Sequence, residues 1–144
     1  MLRRGERGST IIEFAVASAV FFMIIFGILQ FGLAVWNYNM LSSLAQDGAR
    51  WASVRGSTKS ANPCDTITET ECETTDALVQ TYVRSRVVGM SPTAVTVATT
   101  WPDGDNIPGD TVQVRVDYTF SAFTRIVRSG SLSLHGIAQM KIAR

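Results

Sequence analysis

From Phe14 to Trp36 the chain runs through 23 residues without an Asp, Glu, Lys or Arg. A helix of that length rises about 35 Å, enough to cross a hydrocarbon layer of about 30 Å with some tilt. Beyond it the pattern changes. Leu41, Leu44, Ala45, Gly48, Trp51 and Ala52 recur at spacings of three and four, so one apolar stripe persists to about Val54. Gly56 is placed to cap this helix, with Arg55 in the last turn, where a cation suits the dipole. The pattern predicts one helix from Ser9 to Arg55, about 70 Å long, apolar all round in its inner half and striped in its outer half. A stripe requires a partner surface, and the rest of the chain must supply it.

Residues 57–74 read as a polar loop rich in Ser, Thr, Asn, Pro and acids, with Cys64 and Cys72 inside it. Over 75–88 a short helix is expected. Leu78, Val79, Tyr82 and Val83 form its apolar side, Arg84 and Arg86 lie near its end, and Gly89 and Pro92 stop it. Three strand-like runs follow. Ala94 to Trp101 is β-branched and alternating; Thr111 to Phe120 alternates Val112, Val114, Val116 and Tyr118 against Gln113, Arg115 and Asp117. Leu132 to Ile142 alternates less cleanly after Gly136. Between the first two runs, Pro102 to Asp110 is a loop of turn formers. The expected fold is α+β: a long N-terminal helix packed on a small antiparallel sheet, a meander with one apolar face.

Composition narrows the class. The chain has 144 residues, 46% hydrophobic and only 17% charged, with a mean hydropathy of +0.15. That excludes an intrinsically unfolded chain and argues against a plain soluble enzyme. A net charge of +1 leaves no field to attract nucleic acid. The apolar run is longer than the 7–15 residues of a secretory signal, and no small-residue cleavage site follows it. Arg3, Arg4 and Arg7 precede the run, while the fifteen residues after it hold only Asp47 and Arg50. The positive-inside rule then keeps the N-terminus in the cytoplasm and exports the C-terminal part. Trp36 and Tyr38 suit the far interface. The reading is a single-pass anchor with its span at about 14–36.

One charge stands at the start of the span. Glu13 is followed by 33 residues without another. An ionisable group near a membrane interior is costly and tends to carry a task, although a carboxylate at the interface can also simply reach for water. The surrounding residues decide. Gly8-Ser9-Thr10-Ile11-Ile12-Glu13-Phe14 resembles the class III prepilin signature of type IV pilins. Together with Phe26-Gly27-Ile28-Leu29-Gln30-Phe31-Gly32 and Ala45-Gln46-Asp47-Gly48-Ala49-Arg50-Trp51-Ala52, it is similar to the TadE-like minor pilins, or pseudopilins, of tight-adherence (Tad) pilus systems. The likeness is dense in the N-terminal third. It is loose beyond, in Val116-Asp117-Tyr118-Thr119-Phe120 and Ala138-Gln139-Met140-Lys141.

The resemblance implies a leader of residues 1–8, a helix over 9–56 and an exported domain over 57–144. A prepilin peptidase would cut between Gly8 and Ser9, freeing an α-ammonium on Ser9. Glu13, four residues on, shares its helix side. In such pilins that carboxylate neutralises the terminal ammonium of its own or a neighbouring subunit, a pairing that favours correct axial register in low dielectric. Ala15 and Ala19, also four apart, would let neighbouring helices approach closely. The implied function is assembly of a Tad-type pilus for surface adhesion and biofilm, as a membrane-inserted subunit or initiator in the bacterial inner membrane or the fibre. The implied partners are other pilus subunits, inner-membrane assembly proteins and the lipid bilayer, in a hetero-oligomer. A pseudopilin of a type II secretion-like complex, and an anchored binding module that forms no polymer, are the alternatives.

The remaining candidates are weaker. Cys64 and Cys72 are expected to form a disulfide if exported into an oxidising compartment, and to stay free thiols in a reducing one. Asp65, Glu69, Glu71, Glu73 and Asp76 crowd the same loop. Without a turn glycine between them they read as a solvated acidic loop rather than a Ca²⁺ site. Asp103-Gly104-Asp105-Asn106 with Asp110 lacks the final Glu of a calcium loop and reads as a hairpin turn. His135 has no Ser, Cys or second His to work with and reads as structural. The sequence therefore predicts neither an enzyme nor a metal or cofactor site.

Overall fold

A computed structural model describes residues 6–57, 65–68, 73–121 and 131–143. They form helix α1 (Glu6–Ser53), helix α2 (Asp76–Ser85), a single 3₁₀ turn (Pro92–Ala94), and strands β1 (Val95–Thr100), β2 (Thr111–Ser121) and β3 (Ser131–Lys141). The class is the expected α+β. The chain divides into two compact units, Met1–Val35 and Trp36–Arg144. The described part of the first is helix alone. The second holds the rest of α1 and every other element.

The second unit is built around the expected stripe. Leu41, Leu44, Ala45, Ala49, Trp51 and Ala52 of α1 are buried, and join Val79 and Val83 of α2 with Val95, Val97, Val112, Val114, Val116 and Ile142 in one core. Each Leu or Val so buried contributes about 1.5–3 kcal/mol. The sheet is an antiparallel meander of order β1-β2-β3. Its buried side follows the two-residue period: Val95, Val97 and Thr99 on β1, and Val112, Val114 and Val116 on β2.

Strand β3 keeps that period through Gly136, which faces Val116 in register. Gly136 is itself buried, and Leu134, Ala138 and Met140 pack against the core as Ile142 closes it. The glycine looked like a break in the pattern because it has no side chain. It is where the sheet meets the helix backbone: a Cβ there would lie 2.5 Å from the Leu41 carbonyl oxygen. Gly48 plays the matching part on α1, where a Cβ would lie 2.8 Å from Val83 and 3.2 Å from Val114. Small residues on both sides let helix and sheet close on one another.

Helix α2 closes the outer edge of β1. The Thr99 N–H donates to Asp76 Oδ1 at 2.7 Å. Gln80 Nε2 donates to the Val97 carbonyl, and Arg84 donates through Nε and Nη2 to the Val95 carbonyl. Asp76, Gln80 and Arg84 stand four residues apart, so one row of the helix satisfies a group on each of Thr99, Val97 and Val95, alternate residues of the strand.

The ends of α1 differ from the expected Ser9 and Arg55. The helix begins at Glu6 and ends at Ser53. Gly56 is not a left-handed cap; among the described glycines, positive φ occurs at Gly89, Gly104 and Gly109. Other partners satisfy the last carbonyls instead. The Arg55 N–H bonds the Ala52 carbonyl, and Ala143 N–H bonds that of Ser53. Arg55 Nη1 turns back onto the Trp51 carbonyl at 3.0 Å. Its guanidinium lies 4.2 Å from the Trp51 ring centre, and Trp51 stacks on Tyr82 at 4.9 Å. Burial lowers the Arg55 pKa from its ordinary value, against a smaller raising effect from Tyr82. A residue read as a helix-end cation is thus part of the core's polar border.

Candidate functional site

The first unit carries the strongest sequence signal, and its described part is a single helix. Its apolar side chains are exposed all round: Ile11, Phe14 and Phe31 are 69%, 74% and 72% exposed, and Val16, Phe21, Met23, Ile24, Ile28 and Leu33 are exposed as well. The run that is long and apolar enough to cross a membrane lies within Ser9–Ser53 and is 0% buried. In water such a surface would be unsustainable, since soluble monomers rarely expose apolar patches beyond a few hundred Å². A helix satisfies its own backbone polar groups and so tolerates hydrocarbon. Ser18 follows the same rule, its hydroxyl donating to the Ala15 carbonyl at 3.0 Å. Phe21 and Phe22 meet edge to face with ring centres 5.9 Å apart. A Cβ at Gly27 or Gly32 would find no atom within 4 Å. The long apolar helix suggests a membrane anchor.

The motif residues sit on this helix. Gly8 and Ser9 have helical backbone. Glu13 lies one turn beyond Ser9; it is exposed, and it makes no ion pair with any other described residue. Ala15 and Ala19 are exposed on adjacent turns. The helix thus brings Ser9 and Glu13 to one side. The third motif, Ala45 to Ala52, lies in the packed half: Ala45, Ala49 and Ala52 are each 0% exposed. Much of that motif is therefore explained by close helix–sheet packing.

The other expected sites separate. Cys64, Cys72, Glu69 and Glu71 lie outside the described residues. Asp65 is exposed, Glu73 is half-buried, and Asp76 is committed to Thr99. The segment from Pro102 to Asp110 joins β1 to β2 as a turn: Asp103 Oδ2 accepts from the Thr111 N–H, and Gly104 N–H donates to the Trp101 carbonyl. Among the described residues no group of three or more His, Cys, Asp or Glu is placed to hold a metal ion. His135 is exposed and pairs in register with Asp117. Asp117 is already bonded to Arg115 at 2.9 Å. That bond, then the charge itself, raises the Arg115 pKa.

Sequence reasoning placed Asn106 in a turn, which gave no hint of its contacts. Its Nδ2 donates to the Arg55 and Thr74 carbonyls, and its own carbonyl accepts from the Ser57 N–H. The turn thereby ties the end of α1 to the segment before α2.

The family model described as TadE-like protein matches residues 8–50. No curated protein and no solved structure matches the chain. The match identifies the N-terminal third as a TadE-like segment, consistent with a TadE-like Tad pilus protein. It starts at Gly8, contains Ser9, Glu13, Ala15 and Ala19, and ends in the packed half of α1.

Proposed function

We propose that the chain is a minor pilin or pseudopilin that takes part in assembling a Tad-type pilus, as a membrane-inserted structural subunit or initiator. The observation that carries this reading is a coincidence. The TadE-like match contains the whole stretch of α1 whose apolar side chains are exposed among the described residues. Residues 1–8 are the leader, 9–56 the assembly segment that holds most of α1, with its span at about 14–36, and 57–144 the exported domain. The N-terminus is cytoplasmic, as the three leader arginines require.

Prepilin peptidase cuts between Gly8 and Ser9. The new α-ammonium lies one helical turn from Glu13, and the two charges pair within or between subunits as the helix leaves the headgroup region. The exposed apolar surface then exchanges lipid for the helices of other pilus subunits, with Ala15 and Ala19 admitting close approach. The role is structural rather than catalytic. In the oxidising outer compartment Cys64 and Cys72 join, closing a short loop worth about 2.5 kcal/mol on the chain-entropy estimate.

One measurement tests these points together. Intact mass of the protein from its native host, taken without reduction, is expected to correspond to a chain beginning at Ser9 and lacking two hydrogens. A mature chain that still begins at Met1 or Leu2 would overturn the pilin reading. Two alkylatable thiols would overturn the disulfide alone.

A further inference from the structure

In the second unit, strand β3 and helix α1 run side by side in the same direction. Gly136 lies against the Leu41 carbonyl, and farther along both elements the Ala143 N–H bonds the Ser53 carbonyl. The start of β3 therefore lies toward Trp36, where the apolar run gives way to the packed half. The register brings the start of β1 to the same end, because Val95 pairs with Tyr118 and Tyr118 with Leu134. The connection from α2 to β1 arrives there too and meets α1 directly. Gly89 is seated on the Trp36 indole, where a Cβ would collide with the ring, and its φ of 77° suits glycine. Side chains on a helix lean toward its N-terminus. A segment resting on the Trp36 ring thus sits no farther out than Trp36 itself.

The chemistry at this end suits a lipid surface. Val88 is 63% exposed, Leu132 51% and Trp36 42%. No Asp, Glu, Lys or Arg occurs from Val87 to Pro102, nor from Trp36 to Gln46. The polar groups of the connection largely answer one another. The Ser91 and Thr93 hydroxyls bond at 2.9 Å, the Ala94 N–H bonds the Ser91 carbonyl, and Pro92 has no N–H. Such a segment loses little on leaving water. The opposite end is the reverse. Glu73, Asp76 and Asp105 line a hollow beside Trp101, next to Asn106, which is tied to Arg55 past the end of α1. Anionic lipid would repel that end. We propose that the end carrying Trp36, Val88, Gly89 and Leu132 seats on the phospholipid headgroup layer where the span emerges. It makes a second membrane contact beside the helix, with Val88 and Leu132 at the boundary between headgroups and acyl chains. This surface is continuous with the apolar run, so the proposal rests on the anchor reading of α1 and not on pilus assembly.

The test is photo-cross-linking of the full-length chain in vesicles of phosphatidylethanolamine and phosphatidylglycerol, with p-benzoylphenylalanine placed singly at Val88, Ile107 or Phe22. Ile107 is also an exposed apolar residue of the second unit, at 44%, but lies in the β1–β2 connection at the far end. Phe22 lies in the apolar run. The photoproduct forms only with C–H groups in contact with the label, so lipid adducts, read by mass, report touch. An unchanged thermal unfolding transition shows that each labelled chain keeps its fold. Val88 is expected to give lipid adducts at about ten times the Ile107 yield, and Phe22 to give them as well. Adducts at Phe22 with none at Val88 would overturn the seating and leave the anchor in place. No adducts at Phe22 would overturn the anchor reading and the seating with it. Equal yields at Val88 and Ile107 would make the contact undirected and overturn the proposal. So would cross-linked dimers in place of lipid adducts at Val88, which would assign this surface to a second copy.

Discussion

Phe14 and Leu41 are apolar residues of the same helix, yet one is 74% exposed and the other 0%. Helix propensity does not separate the two stretches that contain them. What differs is how the apolar residues are distributed around the axis. Between residues 37 and 53 they form a stripe edged by Gln46, Asp47 and Arg50, and Ala45, Gly48, Ala49 and Ala52 lie along it. One sheet face can cover such a stripe, and the alanines and glycine let it come close. Between 14 and 36 the apolar residues surround the axis, with Phe14, Phe21, Phe22, Phe26 and Phe31 among them. No single surface of the same chain can cover that. A stripe identifies a partner within the chain; an all-round apolar surface calls for a medium or a set of neighbours.

Four substitutions sharpen this contrast. The largest effect is expected from Glu13→Gln. If Ser9 and Glu13 pair as subunits assemble, the change leaves a buried ammonium uncompensated, at a cost of about 3–5 kcal/mol. Membrane level and N-terminal processing should be preserved, while cross-linking to other pilus proteins and pilus output fall to background. Normal association of a processed Glu13→Gln chain would remove the charge pair from the mechanism.

Gly136→Val attacks the packed half. Its Cβ meets the backbone of Leu41 and Ser42 rather than a side chain that could rotate away. A loss of about 3 kcal/mol, at the upper end for overpacking, is expected in thermal unfolding of the detergent-solubilised chain. Glu13→Gln should leave that transition unmoved.

Arg55→Met keeps much of the packing on Trp51 but removes the bond to its carbonyl. Burial already disfavours the charge, so the net loss should be about 1 kcal/mol, visible as a small drop in Tm. Asp117→Asn should have the least effect. It weakens an exposed Arg115–Asp117 pair on the solvent side of the sheet, and the melting curve should superimpose on that of the parent chain. A clear drop would mean that this outer face is covered in the assembled protein.

The helix stripe, the second helix and all three strands were legible because each rests on a local period of side chains. The register of β3 was harder to see, since Gly136 occupies a core position without an apolar side chain. The end of α1 was misread for a related reason. A glycine after a basic residue suggests a cap, but the Ser53 carbonyl is met by Ala143, and the Arg55 carbonyl just past the helix by Thr74 and Asn106, partners distant in sequence. The hollow beside Trp101 was not legible at all. Its wall joins the start of α2 to the β1–β2 turn, and only the folded register brings them together. The motif around Glu13 was legible as chemistry, because one carboxylate before a long uncharged run stands out without any tertiary information.

The row of Asp76, Gln80 and Arg84 along β1 has a consequence for growth. A sheet propagates from copy to copy only if it has two free margins, one to donate and one to receive. Here one margin is sealed by side chains from α2, so head-to-tail pairing of sheets stops at its first step. Strand β3 can at most accept a single terminating neighbour. Copies of this chain could therefore build a long polymer only through contacts other than strand pairing, and the sealed margin blocks an amyloid-like route of assembly.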